Sequence, residues 1–310
     1  MAGPRRDPGL INTGRVDEQV RVGLIGAGLW AERAHAPGLA NHPGVHLTSV
    51  WARRREAADA IAKTYCTEAA DSPAELFDQV DAVAFAVPPE VQAELALQAV
   101  KAGKHVILEK PLAATVDQAE RLAGAIADAG VASLVSLVRR FAQETKDWLA
   151  DLHALGGWVG GNAQWMSGAL LSEDYSGSAW RHDSGALLDV GPHVIDLMDA
   201  ALGTITEVLG ATRGKRDLWH FMLGHEGGAT STITISLKMP LRPTVVDFSV
   251  YGDNGYRLLP GRETPSDQAF TVLLDDFVAM VHSGTVEHPC DAQRGLHLQR
   301  IIEKIAAQSS

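Results

Sequence analysis

Lys110, Asp189 and His193 are side chains whose types and spacing suit proton transfer. Lys110 belongs to Glu109-Lys110-Pro111, directly after the apolar run His105–Leu108. If that run is a strand, the lysine points into the crevice beyond the carboxyl ends of a parallel sheet, where open α/β sheets bind their ligands. Pro111 holds an extended exit and delays the next helix. Downstream, Gly185-Ala-Leu-Leu-Asp189-Val-Gly-Pro-His193-Val-Ile-Asp196 puts His193 in the first turn of a helix entered through Gly191-Pro192. Asp189 precedes it by four residues and can fold back on the imidazole. A carboxylate so placed fixes the tautomer and raises the ring's basicity, which suits a general base. Taken singly, each residue also fits a plainer role: a surface lysine, a helix cap, a structural histidine.

A second constellation suits a phosphate. Gly26-Ala-Gly28-Leu29-Trp30-Ala31 has the form G-x-G-x-x-A between an apolar run and a helical one. Gly26 permits the tight turn, Gly28 lets backbone approach a pyrophosphate, and Ala31 lets the helix pack on the sheet. The N–H groups of that helix start, Leu29 and Trp30 included, are expected to face the phosphates. An NAD site wants an acid at the end of the second strand for the ribose 2′-hydroxyl. Here that strand runs into Arg53-Arg54-Arg55, and the first acid, Glu56, falls inside the following helix. Arginines there suit a 2′-phosphate, so the expected cofactor is NADP(H) in preference to NAD(H), with Arg53 and Arg54 as its contacts.

The elements that must hold these residues are legible as a change of pattern. Up to about residue 139, short apolar runs (20–25, 45–51, 82–87, 105–108, 131–138) alternate with helical stretches (30–40, 54–65, 89–102, 116–129). Alternation of this kind predicts a doubly wound parallel sheet with helices on both faces. Beyond it, a helix near 141–152, Trp- and Gly-rich segments and the Gly191-Pro192 helix precede strand-like runs at 206–212, 217–223, 229–237 and 244–251, then helices near 270–282 and 291–307. Successive strands with turns between them predict an antiparallel sheet. The fold class is therefore α/β, with a dinucleotide-binding domain over 18–139 and a second α/β domain over 140–310.

These motifs resemble the Gfo/Idh/MocA oxidoreductase family: Gly26-Ala-Gly28, then Glu109-Lys110-Pro111, then Gly185–Asp196, in that order over nearly the whole chain. The resemblance implies a Rossmann domain followed by a domain on a large, mostly antiparallel sheet that commonly forms a dimer face. It implies Lys110, Asp189 and His193 as the catalytic group, acting with NADP or NAD on a secondary alcohol or ketone of a sugar, cyclitol or related polyol. Val87 and Pro88 match a loop along the nicotinamide ribose, Glu109 stands beside it, and Trp180-Arg181 matches a pair near cofactor and substrate. Where the family often has T-P-x-x-x-H, this sequence has Val87 and Gln92, and Ser184-Gly185 replaces a longer glycine run. The other class to weigh is a dinucleotide-binding regulator or scaffold without turnover.

Composition limits the partners. The net charge of −11 disfavours nucleic acid and anionic membranes as general partners, and no apolar run is long enough to span a bilayer. Two cysteines, Cys66 and Cys290, lack metal or redox spacing and fit a reducing, cytoplasmic setting. His182, Asp183, Asp189 and His193 match no standard zinc pattern, so no metal is expected. Residues 1–19 lack the apolar stretch of a secretory signal, and the first fifteen or so read as a loose tail. A homodimer or homotetramer through the second sheet and a small-molecule substrate are the expected partners.

Overall fold

A computed structural model describes residues 19–172 and 179–309, without the side chains at 179, 181, 183 and 184. The tail expected at the start of the chain lies outside the described residues.

The first half winds a six-stranded sheet. β1 (Val20–Ile25) leads through a π-helical turn, Ala31–His35, into α1 (Ala36–Asn41). There follow β2 (Val45–Trp51), α2 (Arg55–Tyr65), β3 (Glu68–Ala69), α3 (Pro73–Gln79), β4 (Ala82–Phe85), α4 (Pro89–Lys101), β5 (His105–Leu108), α5 (Val116–Ala129) and β6 (Ser133–Val135). The spatial order is β3-β2-β1-β4-β5-β6, every pair parallel. The central strands are mostly apolar because helices cover both faces; all four residues of β4 are buried. The strand order reverses between β1 and β4, and the crevice at that switch point lies beyond their carboxyl ends. Helix boundaries follow local chemistry. On α5 the Thr115 hydroxyl accepts from the Gln118 N–H, left-handed Gly130 ends the helix, and Ala119, Leu122, Ala123 and Ile126 form its buried stripe. The pattern reading missed β3 and α3. Glu68-Ala69 has no apolar run to betray it. The helix after it starts at a capping box, in which Ser72 accepts from the Glu75 N–H while the Glu75 carboxylate accepts from the Asp71 N–H.

The 3₁₀ turn Val138–Phe141 carries the chain into the second half: α6 (Gln143–Leu155), β7 (Trp158–Met166), α7 (Ala179–Asp189), α8 (Gly191–Leu202), β8 (Ile205–Gly214), β9 (Leu218–His225), β10 (Thr230–Ser236), β11 (Val245–Gly252), β12 (Gly255–Leu258), α9 (Ser266–Ser283) and α10 (Ala292–Gln308). Their strands form a second sheet in the order β12-β11-β7-β10-β9-β8, antiparallel except for β7 with β10. β7 escaped the sequence reading because Gly160-Gly161 interrupts its apolar pattern. Packing demands both glycines: a Cβ on Gly160 would sit 2.7 Å from the Tyr251 ring, and one on Gly161 would sit 2.6 Å from Met198 of α8. One face of this sheet, with Ala163, Phe248, Phe221 and Ile233, is buried beneath the helices. The other bears Met222, Tyr251, Tyr256 and Leu258, all exposed.

The two halves interlock. The Val135 N–H donates to the Cys290 carbonyl at 2.8 Å, and the Ala292 N–H donates to the Ser133 hydroxyl at 3.1 Å, so the segment leading into α10 completes the β6 edge. Gly295 of α10 lies against Leu112 and Val135, where a larger residue would press on both. Among the described residues no helix is long and apolar enough to cross a membrane.

Candidate active site

A cleft of about 340 Å³ opens where β1, β2 and β4 end. Gly26, Gly28, Arg53, Arg54, Val87 and Pro88 all line it, as the sequence reading expected. Gly26 adopts φ +121°, and any side chain there would collide with the Ala86 carbonyl. A Cβ on Gly28 would meet no protein atom, so bare backbone faces open space. No side chain caps the helix start at Trp30. Positive glycine geometry, exposed backbone and an uncapped helix start are the parts a dinucleotide pyrophosphate needs, and the residues present fit it. The three arginines divide. Arg55 is engaged by Asp59 and Asp71, whereas Arg53 and Arg54 are exposed on the cleft wall, which has no carboxylate among its lining residues.

Trp30 links the glycine turn to the Glu109-Lys110-Pro111 loop. Its indole N–H donates to Glu109 Oε1 at 2.9 Å, and the same oxygen lies 2.8 Å from His35 Nε2. Burial pushes the Glu109 carboxyl up, but the His35 hydrogen bond and the nearby charges of His35 and Lys110 outweigh it, leaving Glu109 below the usual carboxylate range. Gln92, fully buried on α4, fixes the loop from behind. Its Nε2 donates to the carbonyls of Glu109 (2.8 Å) and Leu112 (3.0 Å), while its Oε1 accepts from the Glu109 N–H (2.8 Å). The sequence reading noted Gln92 as a departure from a histidine and did not foresee that the amide holds both sides of this loop. The Lys110–Pro111 peptide is cis.

Lys110 Nζ reaches across to the second half, donating to the Asp189 carboxylate Oδ1 at 2.7 Å and to the Asp189 carbonyl at 2.6 Å. This corrects the expected arrangement. Asp189 binds the lysine, and His193 Nδ1 is buried with no hydrogen-bond partner among the described residues. Asp189 is the last residue of α7 and His193 sits in the first turn of α8, and both the Asp189 carboxylate and its carbonyl accept from Lys110. Burial drives the His193 pKa far down, the Lys110 charge adds to that, Asp189 opposes it, and Arg139 and Arg262 depress it further. The ring is therefore neutral at physiological pH. Trp165 of β7 stacks on it with 6.0 Å between centroids.

Deeper elements hold α7 and α8 in place. Gly185 breaks α7 at φ +68°, where a side chain would strike Asp217. Asp217 accepts from the Ala186 N–H (2.6 Å), the Trp219 indole (2.9 Å) and Arg213 (3.0 Å). A single glycine at this break is enough, which accounts for Ser184-Gly185. Behind His193, the buried carboxylate of Asp196 accepts from Arg140 at 3.1 Å and from Arg294 of α10 at 2.7 Å, and Asp199 pairs with Arg294 and His297. Leu29 is exposed and is not among the residues that line the cleft, and Trp180 is half-buried on α7. The Arg181 side chain lies outside the described residues. The sequence reading missed Arg139, whose guanidinium lies over the Trp165 and Phe248 rings at 5.4 and 5.5 Å. No motif signals it. Among the described residues no group of three or more His, Cys, Asp or Glu side chains is arranged to hold a metal.

Comparison with known proteins agrees with this architecture. Residues 20–137 match the family described as "Oxidoreductase family, NAD-binding Rossmann fold", and residues 142–257 match the GFO/IDH/MocA C-terminal domain. A dTDP-3,4-didehydro-2,6-dideoxy-alpha-D-glucose 3-reductase of Actinomadura kijaniata is 30% identical over 231 residues, 71% of this chain and 69% of that protein. A 4-carboxy-2-hydroxymuconate-6-semialdehyde dehydrogenase of a Sphingobium strain is 36% identical over 125 residues, so the match spans only 39% of either protein. The crystal structure of GenD2 from gentamicin A biosynthesis in complex with NAD superposes with a TM-score of 0.82 over 97% of both chains at 20% identity, a likeness of fold. Two family domains in order and a relative matched over two thirds of its length place the chain: it belongs to the Gfo/Idh/MocA oxidoreductase family.

Proposed function

We propose that the chain is an NADP(H)-preferring dehydrogenase or reductase acting on a secondary alcohol or its ketone in a sugar, cyclitol or related polyol. The observation that carries this reading is the convergence of Lys110 and Asp189 at 2.7 Å, with His193 beside them, next to the glycine cleft. When bound, the nicotinamide supplies the carbon that exchanges hydride with the substrate carbon. The residues 18–139 hold the cofactor and 140–310 supply the substrate wall and His193.

His193, kept neutral by burial and by the Lys110 charge, accepts the hydroxyl proton in the oxidative direction. Lys110 donates a hydrogen bond to the same oxygen and stabilises negative charge as it develops. Asp189 is the positioning residue for Lys110: its carboxylate and carbonyl both accept from the ammonium and limit its rotamers. In the reductive direction Lys110 and His193 return a proton to the carbonyl oxygen. Support for NADP(H) comes from Arg53 and Arg54, which stand on the cleft wall with no carboxylate partner among the described residues, whereas Arg55 is paired with Asp59 and Asp71. The exposed apolar face of the second sheet, with Met222, Tyr251, Tyr256 and Leu258, supports a homo-oligomer formed there. Two free cysteines support a reducing, cytoplasmic compartment.

The test is turnover of a polyol and ketone panel with each cofactor, followed by absorbance of the reduced nicotinamide. Lys110→Ala and His193→Ala are each expected to lower kcat by about 10²–10⁴-fold. Cofactor binding with no turnover of any panel member by the wild type, or full turnover in both variants, overturns the proposal.

A further inference from the structure

Arg139 occupies the 3₁₀ turn Val138–Phe141, between β6 of the first sheet and α6. Its guanidinium lies over Trp165 and Phe248, and Trp165 stacks on His193, so the cation stands close to the imidazole on the helix-covered side of the second sheet. Among the described residues Arg139 has no carboxylate partner and donates no side-chain hydrogen bond, and its Nε is buried and unpartnered. A guanidinium carries five N–H donors. The aromatic faces attract its charge but satisfy none of those donors in the plane of the fork.

The surrounding charges sharpen the point. Lys110 is matched by Asp189. Glu144 is near enough to attract Arg139, but its carboxylate is already engaged by the Thr264 hydroxyl and by the N–H groups of Glu263 and Thr264. Arg262, the second cation felt by both Arg139 and His193, donates among the described residues only to the Thr264 carbonyl and the Ser266 hydroxyl, which are uncharged. Burial draws the Arg139 pKa down to about 10, with Arg262 adding to the effect, so the group keeps its charge at neutral pH in a place that disfavours it. Arg139 is half-buried with its Nε shut away from water and from any acceptor, and a partly desolvated charge of this kind gains from a partner that a ligand brings. A neutral polyol leaves the guanidinium unmatched. A planar, singly charged carboxylate fits one guanidinium fork through two parallel hydrogen bonds.

We propose that the substrate bears a carboxylate that docks on the Arg139 guanidinium while its reacting carbon lies against His193. The natural class is then a uronic or other sugar-derived acid rather than a neutral sugar. The inference rests on the reading of His193 and Lys110 as the reacting end. It adds Arg139, which no sequence motif marks, as the residue that selects the substrate.

The test uses the purified full chain, both cofactors, and matched compounds: D-glucuronate and D-galacturonate against D-glucose and D-galactose, with D-glucose 6-phosphate as the competing anion. The acids are expected to exceed their neutral partners by about 10–100-fold in kcat/KM, as for a charge-assisted bidentate contact. In Arg139→Met, which keeps an apolar stem against Trp165 and Phe248, the acid-to-neutral ratio falls toward one. In Arg139→Lys, which keeps the charge and loses the fork, it falls about tenfold, and this variant decides the matter if Arg139→Met does not fold. Equal rates on acids and neutral sugars, or equal losses on both in Arg139→Met, overturn the proposal, and so does a preference for the phosphate. Binding separates this failure from failure of the hydride-transfer reading. Suppose nothing in the panel turns over, yet D-glucuronate saturably changes tryptophan fluorescence in the wild type and not in Arg139→Met. The anion site then stands and the hydride-transfer reading falls. No turnover and no saturable binding of any acid overturns the anion site.

Discussion

The cofactor cleft and the Lys110–Asp189–His193 cluster lie side by side and are built in opposite ways. The cleft is made of backbone and exposed charge: Gly26, Gly28 and the arginines at 53 and 54, each following a strand end by a few residues. The cluster is made of side chains largely withdrawn from solvent and brought together from two distant segments, with Lys110 matched by Asp189 and the start of α8 braced by the Asp196–Arg294 pair. A site of the first kind draws affinity from many small terms and loses it gradually. A site of the second kind depends on complete pairing, because one missing partner strands a buried charge.

That contrast can be broken most forcefully at the brace. Arg294→Met leaves Asp196 and Asp199 buried with part of their compensation gone, and a loss of about 3–5 kcal/mol in unfolding free energy is expected from denaturant titration. Arg300, also on α10 and paired in the open with Glu120 of α5, serves as the control, since Arg300→Met should cost no more than about 1 kcal/mol. Similar losses in the two variants would erase the distinction. At the cleft, Arg53→Ala and Arg54→Ala should each weaken NADPH binding by about 10-fold, with NADH much less affected and the difference shrinking at high salt. Fluorescence titration of the two nucleotides reads this directly, and equal affinity of the wild type for both would remove the preference.

The smallest effect is on pH. Burial and the neighbouring Lys110, Arg139 and Arg262 charges depress His193, with Asp189 opposing, and burial also lowers His105, His225 and His288. Unfolded histidines take up protons below about pH 6.5 while these folded ones do not. Their contribution to stability is therefore complete above that pH and is lost as pH falls below it. Melting temperature should be flat from pH 7 to 8 and decline toward pH 5. The acid limb of kcat/KM should lie well below the ordinary histidine value. An acid limb centred near 6.5 would mean that His193 is not the buried base.

The same contrast explains what could be read from the residues beforehand. The cleft was legible because its parts are local: a glycine turn after one strand, arginines after the next. The alternating half was legible because its central strands, buried on both faces, are mostly apolar runs. β7 was hidden because Gly160 and Gly161 answer to Tyr251 and Met198, partners that only the folded sheet brings near. Lys110 and Asp189 were both recognised, but their bond was not, since 79 residues separate them and only the folded chain brings them together. Gln92 and Arg139 act through contacts with distant backbone or aromatic rings, which leave no spacing pattern at all.

The junction between β6 and the approach to α10 bears on how the protein is made. Synthesis delivers the Rossmann sheet well before residues 290–302, so an emerging chain presents β6 as an open edge, with the Val135 N–H and the Ser133 hydroxyl awaiting Cys290 and Ala292. Open edges are where strands from other chains pair. The nascent protein thus passes through an interval in which its nucleotide-binding half is nearly finished and its edge is open to other strands, and that interval closes only when a helix from far downstream in the sequence arrives to seal it.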